Sequence, residues 1–172
     1  MRKNKKISNI IYIIIILSLL TFIYSCEKKE PAAQPVPDEI MNKIAEYFPE
    51  DIKIKNIPES ELSELYAENK NNPVDLSKIE KYSVIKADEN SAVEIGIFKL
   101  YDKTNSEYVK NMAQTRIAKM RESYKNKAKF EIDLSKILNN AEIRSYGNYV
   151  YYVSHRQKDK IFEIIENALR GV

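Results

Sequence analysis

The chain has 172 residues, 44% of them hydrophobic and 31% charged, the proportions of a globular protein with room for one domain of ordinary size. The formal charge of +3 is uneven: Arg2, Lys3, Lys5 and Lys6 precede a long apolar run, and the remaining 24 bases face 25 acids, so the rest of the chain stands at −1. That balance argues against a nucleic-acid binder, which normally shows a clustered basic face, and it is too even for an acidic disordered chain.

The cationic head is followed by an uncharged stretch from Ile7 to Tyr24 dominated by isoleucine and leucine, the layout of an export signal. It ends in Ile23-Tyr24-Ser25-Cys26, which resembles the bacterial lipobox: an aliphatic residue three places before the cysteine, a small residue just before it, then the cysteine. The resemblance implies cleavage between Ser25 and Cys26 and a diacylglyceryl thioether on Cys26. Tyr24 departs from the pattern, whose middle position is usually small. The alternative is an uncleaved signal anchor, since Ile7 to Tyr24 lies near the minimum of about 17 residues that can span a bilayer. Either way the following chain is expected on the outer face of the cell membrane.

Cys26 is the only cysteine, which excludes an internal disulfide, and a thiol directly after a membrane segment lacks the positioned base a nucleophile needs. Residues 26–37 are polar and proline-rich and read as a tether. The expected division is therefore a signal peptide over 1–25, a tether over 26–37 and one domain over 38–172.

Within that domain, Ile40, Met41, Ile44, Ala45 and Phe48 repeat at helical spacing after Asp38 and stop at Pro49. Residues 50–58 read as irregular, Ser60 to Tyr66 as a short helix and Ala67 to Val74 as a loop. Two strands are expected at Ile79–Ala87 and Ala92–Tyr101, joined through Asp88-Glu89-Asn90-Ser91. In the second, Val93, Ile95 and Ile97 alternate with Glu94, Gly96 and Phe98, which suits a central strand covered on one side.

Thr104-Asn105-Ser106-Glu107 fits a capping box opening a helix to about Asn126, with Val109, Met112, Ala113, Ile117, Met120 and Tyr124 on one stripe. Phe130 to Leu138 supports either period. Glu142–Tyr146 and Tyr149–Ser154 flank Gly147-Asn148, a pair suited to a type II′ hairpin turn. A last helix over Gln157–Arg170 turns Ile161, Phe162, Ile165, Ala168 and Leu169 inward and ends at Gly171. The order ββαββα predicts an α+β fold: a four-stranded antiparallel sheet with helices packed on one face, preceded by one or two helices.

The residues give little chemistry. His155, the only histidine, sits at a strand end and reads as a surface residue; as the centre of a small hydrolase it would need acids and a nucleophile brought to it in space. One histidine and one lipidated cysteine cannot assemble a zinc site, and the three glycines, Gly96, Gly147 and Gly171, form no phosphate loop. No cofactor and no metal are expected. Glu94 and Lys99, on opposite faces of a central strand, are candidate binding residues because a buried charge requires a partner. Tyr149 and Tyr151, sharing a face, are candidates as an aromatic platform, against the plainer role of strand packing.

From Leu62-Ser63-Glu64-Leu65-Tyr66 onward, through Val93-Glu94-Ile95-Gly96-Ile97-Phe98-Lys99, the long helix containing Arg116 and Gly147-Asn148-Tyr149-Val150, the chain resembles a family of Gram-positive lipoproteins defined by domain of unknown function 4358. The resemblance spans about two thirds of the chain. It implies a small lipid-anchored envelope protein and supplies no catalytic residue. The leading expectation is a non-enzymatic module that binds an envelope protein or wall component. A small hydrolase using His155 and an accessory subunit of a transport complex remain the alternatives.

Overall fold

The computed structural model describes residues 34–48, 57–67, 73–86, 92–128 and 132–172. The expected signal peptide, Cys26, most of the tether, the turn at 88–91 and parts of the loops around 50–56 and 68–72 lie outside the described residues.

Four strands make one antiparallel sheet: β1 (Ile79–Lys86), β2 (Glu94–Leu100), β3 (Glu142–Tyr146) and β4 (Tyr149–Ser154), in the order β1-β2-β4-β3. The two hairpins meet through β2 and β4, where Gly96 faces Tyr152 and Phe98 faces Val150. Among the described residues five α-helices accompany them: α1 (Pro37–Tyr47), α2 (Glu59–Tyr66), α3 (Ser106–Ala128), α4 (Ile132–Asn140) and α5 (Lys158–Arg170). The α+β class, the four-stranded sheet and the helices ahead of it are as the sequence indicates.

The cover is not. Because successive side chains of a strand point to opposite faces, β2 and β4 each contribute to two cores. Ile95, Ile97, Tyr149, Tyr151 and Val153 meet Ile40, Met41 and Ile44 of α1 and Ile161, Phe162 and Ile165 of α5. Phe98, Leu100, Val150 and Tyr152 meet Leu62 and Tyr66 of α2 and Val109, Met112, Ala113 and Ile117 of α3. Helices therefore cover both faces, which corrects the expected one-sided sheet. The burial of every residue of β4 is the direct consequence. Beyond the end of the sheet a smaller cluster joins Ala92 and Met120 to Leu134, Ile137 and Leu138. Those last three settle the ambiguous stretch as the helix α4: their spacing puts them on one side, and that side is the one buried.

Local chemistry sets the element ends. Pro37 opens α1 at a position where its missing N–H costs nothing, and the Glu39 carboxylate accepts from the Val36 N–H at 3.2 Å. The helix therefore begins at Pro37, one residue before the expected start of the domain at Asp38. At the start of α3 the expected capping box is replaced by a 3-10 turn over Lys103–Asn105, whose Thr104 N–H donates to Asp102 at 2.8 Å. Asp102 is held below the usual carboxylate range by that hydrogen bond.

In the second hairpin Gly147 has φ of 57° while Asn148, like every other non-glycine residue among those described, has no positive φ, which fits type II′ and excludes type I′. A Cβ at Gly147 would touch nothing, so the cost of any other residue there is conformational alone. Gly147→Ala is expected to lower stability by about 1–3 kcal/mol without changing the fold, read as a reduced urea midpoint at unchanged slope.

Candidate functional site

Glu94 opens β2 with its side chain directed into the layer between the sheet and α2 and α3, and it is 1% exposed. A carboxylate taken from water at that depth must be matched by charge and hydrogen bonds. Arg116 of α3 supplies both. Its Nε donates to Glu94 Oε1 at 2.8 Å and a terminal nitrogen donates to Oε2, a two-pronged arrangement that suits planar guanidinium. The Tyr152 hydroxyl on β4 donates to Glu94 Oε1 at 2.5 Å. Since its proton is committed there, the hydroxyl of Tyr66 on α2 donates in turn to the Tyr152 oxygen. The chain Tyr66 to Tyr152 to Glu94 to Arg116 thus links α2, β4, β2 and α3.

The geometry around Tyr152 is tight. Its ring crosses the backbone of the neighbouring strand so closely that a Cβ on Gly96 would lie 2.3 Å from Cε1. With the hydroxyl held at its far end, the ring cannot swing aside, and glycine is the residue that leaves it room. Phe98 stacks against the same ring, and Tyr66 meets both edge-on. The Lys119 ammonium donates to the Ala67 carbonyl at the end of α2, a second polar tie between α2 and α3.

Electrostatics follow from burial. Desolvation pushes Tyr66 and Tyr152 well above the ordinary phenol value, and the Glu94 charge pushes both further. Burial opposes charge on Arg116, but its hydrogen bonds and attraction to Glu94 outweigh that and raise its pKa. Both phenols therefore keep their protons and Arg116 its charge over the ordinary pH range. The cluster is internally saturated, and its chemistry is that of a structural pin.

The other candidates divide as follows. Lys99 pairs with Glu80 at 2.8 Å near the sheet margin. Glu94 and Lys99 lie on opposite faces, as expected, and do not meet. Tyr149 and Tyr151 do share a face, but they are 2% and 1% exposed, so they present no stacking platform to solvent. The Tyr149 hydroxyl donates to the Pro35 carbonyl at 2.7 Å, and burial pushes its pKa up to about 12. Tyr151 is likewise raised to about 12 by burial and by Glu166, whose carboxylate its hydroxyl reaches at 3.5 Å.

His155 is 3% exposed rather than on the surface. It packs against Phe48 at a ring separation of 5.2 Å, and its Nδ1 accepts from the Gln157 N–H at 2.9 Å. That acceptance leaves Nε2 carrying the proton of the neutral ring. Among the described residues no group of three or more His, Cys, Asp or Glu could hold a metal ion, and no helix is long and apolar enough to cross a membrane.

Sequence reasoning singled out Glu94 as a charge needing a partner and left Arg116 unassigned. The signal was available: Arg116 falls on the stripe of Met112, Ala113, Ile117 and Met120, where a charge is out of place unless it meets its opposite. Tyr66 could not be matched to Tyr152 in this way, because the two are joined only through the packing of α2 on the sheet.

Two measurements follow. Arg116→Leu strands the Glu94 carboxylate and is expected to cost about 3–5 kcal/mol, whereas Glu94→Leu combined with Arg116→Leu should recover most of that loss in urea denaturation. Tyr66 and Tyr152 have pKa values raised by folding, so their contribution to stability is complete below the unfolded value of 10.0 and is lost as pH rises above it. Midpoints measured from about pH 9 to about pH 11 should fall, and fall less steeply in Tyr66→Phe.

A family model described as "Domain of unknown function (DUF4358)" matches residues 53–155, the stretch that carries α2, the whole sheet, α3, α4 and His155. No curated protein and no solved structure matches the chain.

Proposed function

The chain belongs to the family of domain of unknown function 4358, and on that footing we propose that it is a lipid-anchored protein on the outer face of the cell membrane, acting as a non-enzymatic binding module for an envelope protein or wall component. The observation that carries the reading is Cys26, placed at the end of a charged head and an apolar run and followed by a proline-rich stretch. Seven residues, and so eight chain steps, separate Cys26 from Gln34, where the described domain begins. Fully extended, those steps reach roughly 30 Å at most, a length that would keep the domain close to the bilayer.

Two features support binding over catalysis. Both oxygens of the buried carboxylate are engaged with Arg116 and Tyr152, which leaves Glu94 unsuited to general acid or base work. Nδ1 of His155 is engaged by backbone, and its ring lies against Phe48 inside the domain. A tether of this kind aids a weak interaction by confining both partners to one surface, so a modest exposed site suffices.

The test is the intact mass and membrane partitioning of the native protein beside Cys26→Ser. The native form is expected to begin at a diacylated Cys26 and to enter detergent; the variant is expected to keep Met1. Identical masses with Met1 retained in both would overturn the assignment.

A further inference from the structure

The two edges of the sheet differ. β3 carries Glu142 and Arg144, which are tied to each other at 2.7 Å and to Lys158 and Glu166 of α5, so its margin is closed by its own ion pairs. Beside the start of β1 lies an open groove of about 840 Å³. Ile79, Glu80, Lys81 and Tyr82 all line it in succession. Neighbouring strand residues point to opposite faces, so a groove lined by four in a row runs along the edge of the strand. Its far walls come from the first turns of α1 and α2, through Asp38 and Glu59, and Tyr101 stands at its rim, 68% exposed.

The lining of the groove is net negative. Glu80 is matched by Lys99, whereas Asp38 and Glu59 hold no ion pair among the described residues and outnumber the single Lys81. The fields of both reach one point: burial raises the Tyr82 hydroxyl above the ordinary phenol value, and Glu59 and Asp38 add to it. The two helix N-termini would otherwise attract an anion, but each already carries acids in its first turn, Asp38 and Glu39 on α1, Glu59 and Glu61 on α2. An anionic headgroup is thereby repelled. Regular strand addition is also disfavoured, because the register of β1 on β2 shifts between Ile79 and Lys81, and an irregular edge offers no continuous ladder.

We propose that this groove binds a short extended polypeptide segment bearing lysine or arginine, with the cationic side chain seated between Asp38 and Glu59 beside Tyr82 and Tyr101. Carboxylates with aromatic rings are the chemistry that recognises an ammonium or guanidinium group, and the apolar Ile79 and Leu76 give the intervening residues somewhere to rest. This deepens the binding-module reading by naming the partner, and it rests on that reading.

The experiment is fluorescence anisotropy of a labelled hexapeptide of alternating lysine and valine against the full chain in detergent, with a glutamate–valine peptide as the opposite charge. Saturable, salt-sensitive binding is expected for the lysine peptide alone. It should weaken roughly tenfold or more in Asp38→Asn with Glu59→Gln, weaken in Tyr101→Ala and tighten in Lys81→Glu. These side chains are exposed, so the circular dichroism spectrum should be unchanged. Absence of binding to the native chain, equal binding to the double variant, or weaker binding to Lys81→Glu overturns the proposal. Loss of peptide binding with a diacylated Cys26 rejects the partner alone; intact binding with an unprocessed Cys26 rejects the address alone.

Discussion

One ion pair organises the layer between the sheet and α2 and α3. Glu94 and Arg116 are charges held where water does not reach, with side-chain exposures of 1% and 11%, and neither can be left without the other. Satisfying them fixes the rotation of α3 about its axis and its height over the sheet, since both nitrogens must meet both oxygens. The third bond to the carboxylate brings in Tyr152, and Tyr152 brings in Tyr66 and so the short helix α2. Gly96 is the space that this arrangement needs. A buried pair of this kind adds little net stability over an apolar replacement, and its contribution here is to select one packing among many that an apolar interface would tolerate.

Among the described residues the opposite layer has no such device. α1 and α5 meet Ile95, Ile97, Tyr151 and Val153 through apolar contacts, and its polar ties are peripheral: Tyr149 to Pro35, Tyr151 to Glu166, Arg144 above the ring of Phe162 at 3.9 Å. The two layers thus hold the same sheet by different means, one by saturated charge and one by area and shape. The central strands β2 and β4 are shared by both and are accordingly buried nearly throughout.

Much of this architecture was legible in the sequence. The alternation of Val93 to Phe98, the Gly147-Asn148 turn and the apolar stripe of α3 each state a local period, and local periods survive into the fold. What failed was two-sidedness. Gly96 reads as polar or neutral in a periodicity argument, yet it is the close approach of Tyr152 that fills its place, so the second face of β2 looked mixed when it was packed. Tyrosine likewise reads equally as platform or core, and the decision belongs to helices distant in the chain. The position of His155 at a strand end was correct, but it is packed against Phe48, which follows the end of α1 more than a hundred residues earlier. The groove beside β1 was invisible for the same reason, since its walls come from three separate stretches.

The family match runs from residue 53 to 155, whereas α1 ends at Tyr47 and α5 begins at Lys158. Both helices of the second layer therefore fall outside the matched stretch, one at each end, and they touch each other as well as the sheet. The two flanks behave as the halves of a clasp whose closure brings the amino-terminal entry of the domain beside its carboxyl terminus. A fragment cut to the limits of the match would bare the surface of Ile95, Ile97, Tyr149, Tyr151 and Val153 along two central strands, an apolar expanse that invites self-association. The folding unit is larger than the stretch by which the family is recognised, and its ends are held in place by each other.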